Sequence, residues 1–359
     1  MTDSVYPYSI DEMFSAMGVG SLDRALANNI YGINHMQNPG MVKANKDLQG
    51  YTFMTRPQLN LQKDNIRNYR ELYPLLNEDP KSLAKGMRMI LDPRLGAGYR
   101  YKTMNGWGEV PPIYSNIVDN NNAFIPMVTN NLVSISGWPD ETMTTRSTDP
   151  GLHKQVFVTA DGIARHYGEY DLTINLQNVA GDPISVLLHT WLHYMGAIKE
   201  KKMYPYHDHI LGDRLDYTSR VYRVVLNEYK THVTKIFACI GGFPTSNPTG
   251  MFADSNRESP FSEQTKEISF RFKCMGFVAY DPLLIIHFNR TVEMFNSSMK
   301  QEYRDTDMVL LTQRNLREFN HRAYPRIDPD TMAMEWWVPK YLVEEKDPFD
   351  SENPSSMLF

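Results

Sequence analysis

The sequence predicts an α+β fold that is mainly β: a strand, one packed helix, a hairpin and a long strand, set between irregular N- and C-terminal extensions. Three observations predict it. Tyr170, Leu172, Ile174 and Leu176 alternate with Asp171, Thr173, Asn175 and Gln177, the period of a strand with one buried face. Ile184, Leu187, Leu188, Trp191, Met195 and Ile198 then recur at helical spacing. Three further β-rich runs follow, the last placing Ile268, Phe270, Phe272 and Cys274 at every second position. The expected division is an irregular accessory region over 1–150, a central domain over 151–295 and an acidic extension over 296–359.

In chain order, the first region mixes short helical candidates with loops rich in Asn, Pro and Gly. Asp79 to Leu91 reads as a helix with an acidic N-cap and Pro80 in its first turn. Asn105-Gly106 favours a tight hairpin turn. After the strand at 168–179, Asp182 is placed to cap the amphipathic helix and Pro183 to occupy its first turn, with the Trp191 side packed on a sheet. "SRVYRVVLNEY" and "HVTKIFACI" form a hairpin candidate leading into "GGFPTSNP", where glycine and proline read as the end of the strand. A loop from Thr249 to Glu263 precedes the long strand, and "LLIIHF" suits helix or strand equally. Near the end, Trp336, Trp337, Pro339 and Tyr341 lie between acidic blocks. They read either as an aromatic anchor in a flexible arm or as packing on the protein's own core.

Charge separates the regions. Residues 1–154 carry 15 Lys+Arg against 15 Asp+Glu, 155–300 again 15 against 15, and 301–359 carry 7 against 12, so the whole surplus of -5 sits in the C-terminal segment. A protein that grips nucleic acid electrostatically needs a basic excess, which is missing here. Methionine and tyrosine, 21 of each, suit large contact surfaces. The first residues lack the pattern of a secretory signal, and no apolar run is long enough for a membrane span. Cys239 and Cys274 match no metal or disulfide spacing and suit a reducing compartment.

Chemical motifs are sparse. His189 and His193 stand four apart on the helix, with His207 and His209 following, the spacing from which a metal-dependent hydrolase would be built. Thr190 stands where a zinc peptidase needs its glutamate. No GxSxG elbow occurs, and "GVGSLD" at Gly18–Asp23 follows no strand and has Asp23 where a dinucleotide loop needs its third glycine. "KEKK" at 199–202 is a solvated helix end. No catalytic, cofactor or metal residue is assigned, and the pattern favours assembly over catalysis.

This order of elements resembles the tail-tube fold of contractile-tailed bacteriophages and related injection machines, which implies an antiparallel β-sandwich or barrel with one packed helix. In that family a strand leads to a helix bearing a tryptophan, as Trp191 does here, and a hairpin closes in a turn matched by Gly242, Phe243, Pro244, Thr245 and Ser246. A long strand then ends near an aromatic–aspartate pair, here Tyr280 and Asp281. The resemblance covers roughly residues 155–290, and the segments on either side are similar to the additions carried by baseplate-proximal tube proteins.

What the resemblance implies is a non-enzymatic virion protein assembled in the host cytoplasm. It would form a hexameric ring at the junction of tube and baseplate, with other tube and baseplate proteins and the tape-measure protein as partners and DNA in transit through its lumen. The hairpin from Ser219 to Ile240 and the strand from Thr265 to Phe277 would close the ring. Trp191 and Phe243 are expected in the core, and Pro244, Phe270, Phe272, Trp336 and Trp337 complete the expected assembly set. Other positions in a tail remain open, as main tube subunit, terminator or neck protein, as does a β-sandwich binding module of a capsid or neck.

Overall fold

The computed structural model describes residues 47–344 except 104–105, 111, 163–167, 255–256, 258–259, 261–264, 313–318 and 320–321. The Gly18–Asp23 motif, Asn105 of the expected turn and the acidic stretch from 345 onward lie outside the described residues. The strands are β1 (Leu48–Met54), β2 (Tyr99–Thr103), β3 (Gly106–Val110), β4 (Leu132–Ser136), β5 (Thr145–Ser147), β6 (Val158–Ala160), β7 (Glu169–Gln177), β8 (Val221–Leu226), β9 (Val233–Pro244), β10 (Glu267–Ala279), β11 (Met308–Leu310), β12 (Tyr324–Ile327) and β13 (Met334–Pro339). The helices that organise the core are α1 (Leu83–Leu91), α2 (Pro126–Asn130), α3 (Pro183–Lys199), α4 (His207–Leu211) and α5 (Leu283–Phe295).

Six strands form an open antiparallel sheet in the order β1-β8-β9-β10-β7-β4. The fold is α+β and mainly β, and the sheet does not close into a barrel. Its alternation is as the sequence predicts: Tyr170, Leu172, Ile174 and Leu176 are buried, and each pairs across the ladder with Cys274, Phe272, Phe270 or Ile268, also buried. Helix α3 lies on this face through Ile184, Leu187, Leu188 and Trp191. Trp191 is 1% exposed, meets Phe272 edge-on and donates its indole N–H to the Tyr217 carbonyl at 2.9 Å.

The other face of the β1-β8-β9 half carries a second core. There Phe53, Tyr222, Val224, Ile236 and Ala238 pack on α5 and on the three-stranded sheet β11-β13-β12. "LLIIHF" is therefore helical, and α5 runs on to Phe295 because Leu284, Ile285, Phe288 and Val292 make one buried stripe. Two packed helices, not one, serve the sheet.

Several expectations change where long-range pairing outweighs local signals. The boundary at 150 does not divide the core, since β1 and β4 are the two edge strands of the main sheet and Leu59, Leu61, Ile66 and Leu91 join the core under α3. Helix α1 begins at Leu83 rather than at Asp79: Ser82 takes the N-cap position, and the Asp79 carboxylate accepts from the Lys81 N–H in a turn of its own. Asp182 adopts φ 50°, makes no cap bond and accepts from the Asn178 side chain at 2.6 Å. His207 opens α4 instead of lying in a loop.

The largest change concerns "GGFPTSNP". Strand β9 does not end at the glycines: Gly241, Gly242, Phe243 and Pro244 pair with Met275, Cys274, Lys273 and Phe272 of β10. Gly242 is needed for contact rather than for a turn, because a Cβ there would lie 2.6 Å from Phe272 Cε1 and 2.7 Å from the Lys273 carbonyl oxygen. The strand ends at Pro244, although the next residue still bonds in register, the Thr245 N–H donating to the Arg271 carbonyl at 2.9 Å. Phe243 is half-buried, not a core residue: it pairs with Lys273, so alternation puts it on the face opposite Phe272 and Trp191, where it meets Tyr217 edge-on at 5.5 Å.

Candidate assembly surface

Three features outside the cores offer a surface for assembly: the outward face of the β7–β10 pair, the two sheet edges, and an arm between β4 and β7. The outward face is polar except for Met275. On β7 it carries Glu169, Asp171, Thr173, Asn175 and Gln177, opposite Met275, Lys273, Arg271, Ser269 and Glu267 of β10. Lys273 lies 3.4 Å from Asp171 and 3.5 Å from Glu169, and these carboxylates hold its ammonium above the usual lysine range against some desolvation. Such paired charges leave little net field. The Ser134 hydroxyl accepts from the Asn175 amide at 2.7 Å, extending the polar face onto β4.

The edges differ. Along β1, Met54 O accepts from the Ile125 N–H at 2.8 Å and Thr52 O from the Thr129 hydroxyl at 2.8 Å, so α2 and the residues before it cover the C-terminal half of that edge. From Leu48 to Tyr51 the outer side of β1 has no ladder partner among the described residues. Strand β4 pairs with β7 alone, and its far side likewise has no ladder partner among the described residues. Gly137 then turns the chain away at φ 99°, and residues 140–162 are all exposed.

A polar junction, buried except at the Arg94–Asp208 pair, holds this frame in place. Arg56 donates to the carbonyls of Met89, Ile90, Asn120 and Asn122 at 2.6–3.2 Å, joining β1 to the C-terminus of α1 and to the segment before α2. Burial lowers its pKa to about 10. Asp92 Oδ2 accepts from the Leu61 N–H and the Tyr206 hydroxyl, both at 2.9 Å, and complete burial raises its pKa to about 7. Asp216 accepts from the Tyr194 hydroxyl, and burial raises it to about 6. Arg94 pairs bidentately with Asp208 at 2.7 and 2.8 Å and holds that carboxyl at about 2. These contacts hold the start of β8 against α1 and α3. They were invisible in sequence because each partner lies far along the chain.

The histidine quartet does not assemble. His189 and His193 lie with ring centroids 4.1 Å apart and planes tilted by 47°, and His193 Nδ1 lies 3.3 Å from the Tyr69 hydroxyl. Desolvation, then the neighbouring His193, lowers the His189 pKa. His209 sits elsewhere, 2.9 Å from Arg94 and 3.1 Å from Gln58. Among the described residues no three His, Cys, Asp or Glu side chains gather as a metal site. Cys239 and Cys274 are buried free thiols.

Of the residues singled out from sequence, Trp191, Phe270, Phe272 and Pro244 face the core under α3, whereas Phe243 does not. Trp336 and Trp337 lie in β13, half-buried. Trp336 meets Tyr51 edge-on at 5.3 Å, and Arg304 stacks over Trp337, so both pack on the protein's own body. No helix among the described residues is long and apolar enough to cross a membrane.

The described residues thus form an open sheet with a core on either face, a polar outer face and a projecting arm, and gather no catalytic or metal cluster. Residues 2–346 match the family described as "Putative phage tail tube protein", and the chain belongs to this phage tail tube family. It is therefore a structural component of a virion tail, multimeric with other tail proteins. The match extends well beyond the 155–290 stretch that carries the sequence motifs. Among solved structures the chain is similar to the anti-feeding prophage cap, a tube-terminating cap, at 14% identity over 44% of this chain and 81% of that one, with a TM-score of 0.27. No curated protein matches it.

Proposed function

We propose that the chain forms a hexameric ring of the inner tube of a contractile phage tail, at the junction of tube and baseplate, through which DNA and the tape-measure protein pass. The family match over residues 2–346 carries the tube part of this reading, and the position at the junction rests on the likeness of the flanking segments to the additions of baseplate-proximal tube proteins. The geometry supports it physically, because an open sheet with unpaired edge stretches gains hydrogen bonds when copies join around an axis. In such a ring the outward face of β7–β10 lines the lumen. Its paired Lys273, Asp171 and Glu169 leave no basic track on which a polyanion would lodge.

The same family match favours a second reading, the main tube subunit. Since it takes in the segments outside 155–290, those segments do not set the chain apart as an end-of-tube form. Negative-stain electron microscopy of the purified protein tests both. Single or paired six-fold rings support the junction, long tubes the main tube, and rings of another symmetry would overturn the hexamer. Copy number per virion separates the positions independently.

A further inference from the structure

A groove of about 550 Å³ opens between α5 and the strands β8, β9 and β10. Its walls combine two chemistries. Ile240, Met275 and Met294 are apolar yet exposed, Met294 at 66%. Arg214 and Arg220 are cationic, and neither has a carboxylate partner among the described residues. Arg220 donates to the Ile240 carbonyl and the Tyr222 hydroxyl, both at 3.3 Å, and Arg214 stands exposed.

The groove also holds an unmet donor. Arginine can only donate, so the 2.9 Å contact of Arg94 Nη2 with His209 Nε2 makes that nitrogen the acceptor and puts the His209 proton on Nδ1. Nδ1 is buried and has no hydrogen-bond partner among the described residues. Among the described lining residues the one carboxyl, Asp216, is already engaged by the Tyr194 hydroxyl. Such a groove suits an occupant that carries negative charge, accepts hydrogen bonds and covers an apolar floor. A nucleic-acid backbone supplies the first two, whereas an acidic peptide with apolar side chains supplies all three.

We propose that this groove is the docking site of residues 345–359 of the same copy, with their acidic side chains on Arg214 and Arg220 and their apolar ones on Met275 and Met294. The segment has the required composition: Glu345, Asp347, Asp350 and Glu352 against Lys346, interleaved with Phe349 and followed by Met357, Leu358 and Phe359. A short series of contacts joins the groove to the helix Lys340–Glu344, from which the segment continues. Arg56 of the lining donates to the Asn120 carbonyl, the adjacent Asp119 accepts from the Tyr324 hydroxyl, and Tyr324 pairs with Trp337 just before that helix. The 15 residues of the segment, extended, span up to about 50 Å, ample for the distance.

A fluorescent peptide of residues 345–359, titrated by anisotropy, tests the docking on two full-length chains. One is the parent, and the other is neutralised in its own segment by Glu345→Gln, Asp347→Asn, Asp350→Asn and Glu352→Gln. A tethered segment competes at a roughly millimolar effective concentration, so the parent is expected to bind the free peptide at least about tenfold more weakly than the neutralised chain. Adding Arg214→Glu and Arg220→Glu to the neutralised chain, with circular dichroism as a folding control, should weaken the peptide at least about tenfold. Arg214→Glu alone, at an exposed position, should act in the same direction. Absence of binding to the neutralised chain overturns the proposal, and so does equal binding by both chains. Binding that ignores the arginines overturns the groove as the site. Arginine-dependent binding of a short DNA duplex in place of the peptide overturns the choice of occupant. The tube reading uses neither the groove nor the segment and survives each of these failures.

Discussion

The two ends of the six-stranded sheet obey different rules. At the β1 end, Arg56, α2 and the C-terminal sheet enclose the chain, and side chains from positions as distant as Phe53 and Trp336 share one core. At the β4 end the chain turns out at Gly137 into an arm that packs on nothing of its own. The first end is specified by packing within the subunit. The second adds no buried residue to the subunit, and the difference teaches that its sequence answers to something other than the packing of the cores.

Predictions that sharpen this contrast begin where the packing is deepest. Trp191→Ala should destabilise the fold by about 3–5 kcal/mol, read as a lower denaturation midpoint, since it empties the contact with Phe272 and leaves the Tyr217 carbonyl unpaired. Next is pH. Asp92 and Asp216 have folded-state pKa values raised to about 7 and about 6, so the folded chain keeps protons that the unfolded chain releases above about pH 4. Stability should fall as pH rises from about 4 to about 7 and then level off, with each proton contributing at most about 1.4 kcal/mol per pH unit. Asp92→Asn should flatten that slope, and an unaltered slope in denaturation series across this range would remove Asp92 from the account.

Smaller effects follow. Gly242→Val forces a Cβ into Phe272 and the Lys273 carbonyl, and should cost about 1–3 kcal/mol by chemical denaturation. Phe243→Ala, on the outer face, should cost only about 1 kcal/mol, the value of its edge contact with Tyr217. If Phe243→Ala matched Trp191→Ala in cost, the assignment of the two residues to opposite faces would be wrong.

What could be read from sequence was what local periodicity encodes. The β7 alternation, the α3 stripe and the even positions of β10 lie where expected because each repeats a single burial preference over several residues. Strands β1 and β4 were missed because they are short and their partners lie far along the chain, Val221–Leu226 for β1 and Thr173–Leu176 for β4. At Gly241–Pro244 the local signal pointed the wrong way. Glycine there permits close approach to Phe272, a role that sequence cannot distinguish from a turn. The arm, too, escaped notice: the expected boundary at 150 runs through it, since exposure on both faces leaves no periodic trace.

The pairing at the arm's root has a consequence for engineering. The chain leaves β4 and returns through β7, and these strands are neighbours, with Ile135 opposite Ile174 and Ser136 opposite Thr173. Because loop-closure entropy grows only logarithmically with length, an insert between them should leave the sheet register unchanged. The root of the arm is thus a natural graft point, where a foreign peptide could be displayed from the fold without altering either of its cores.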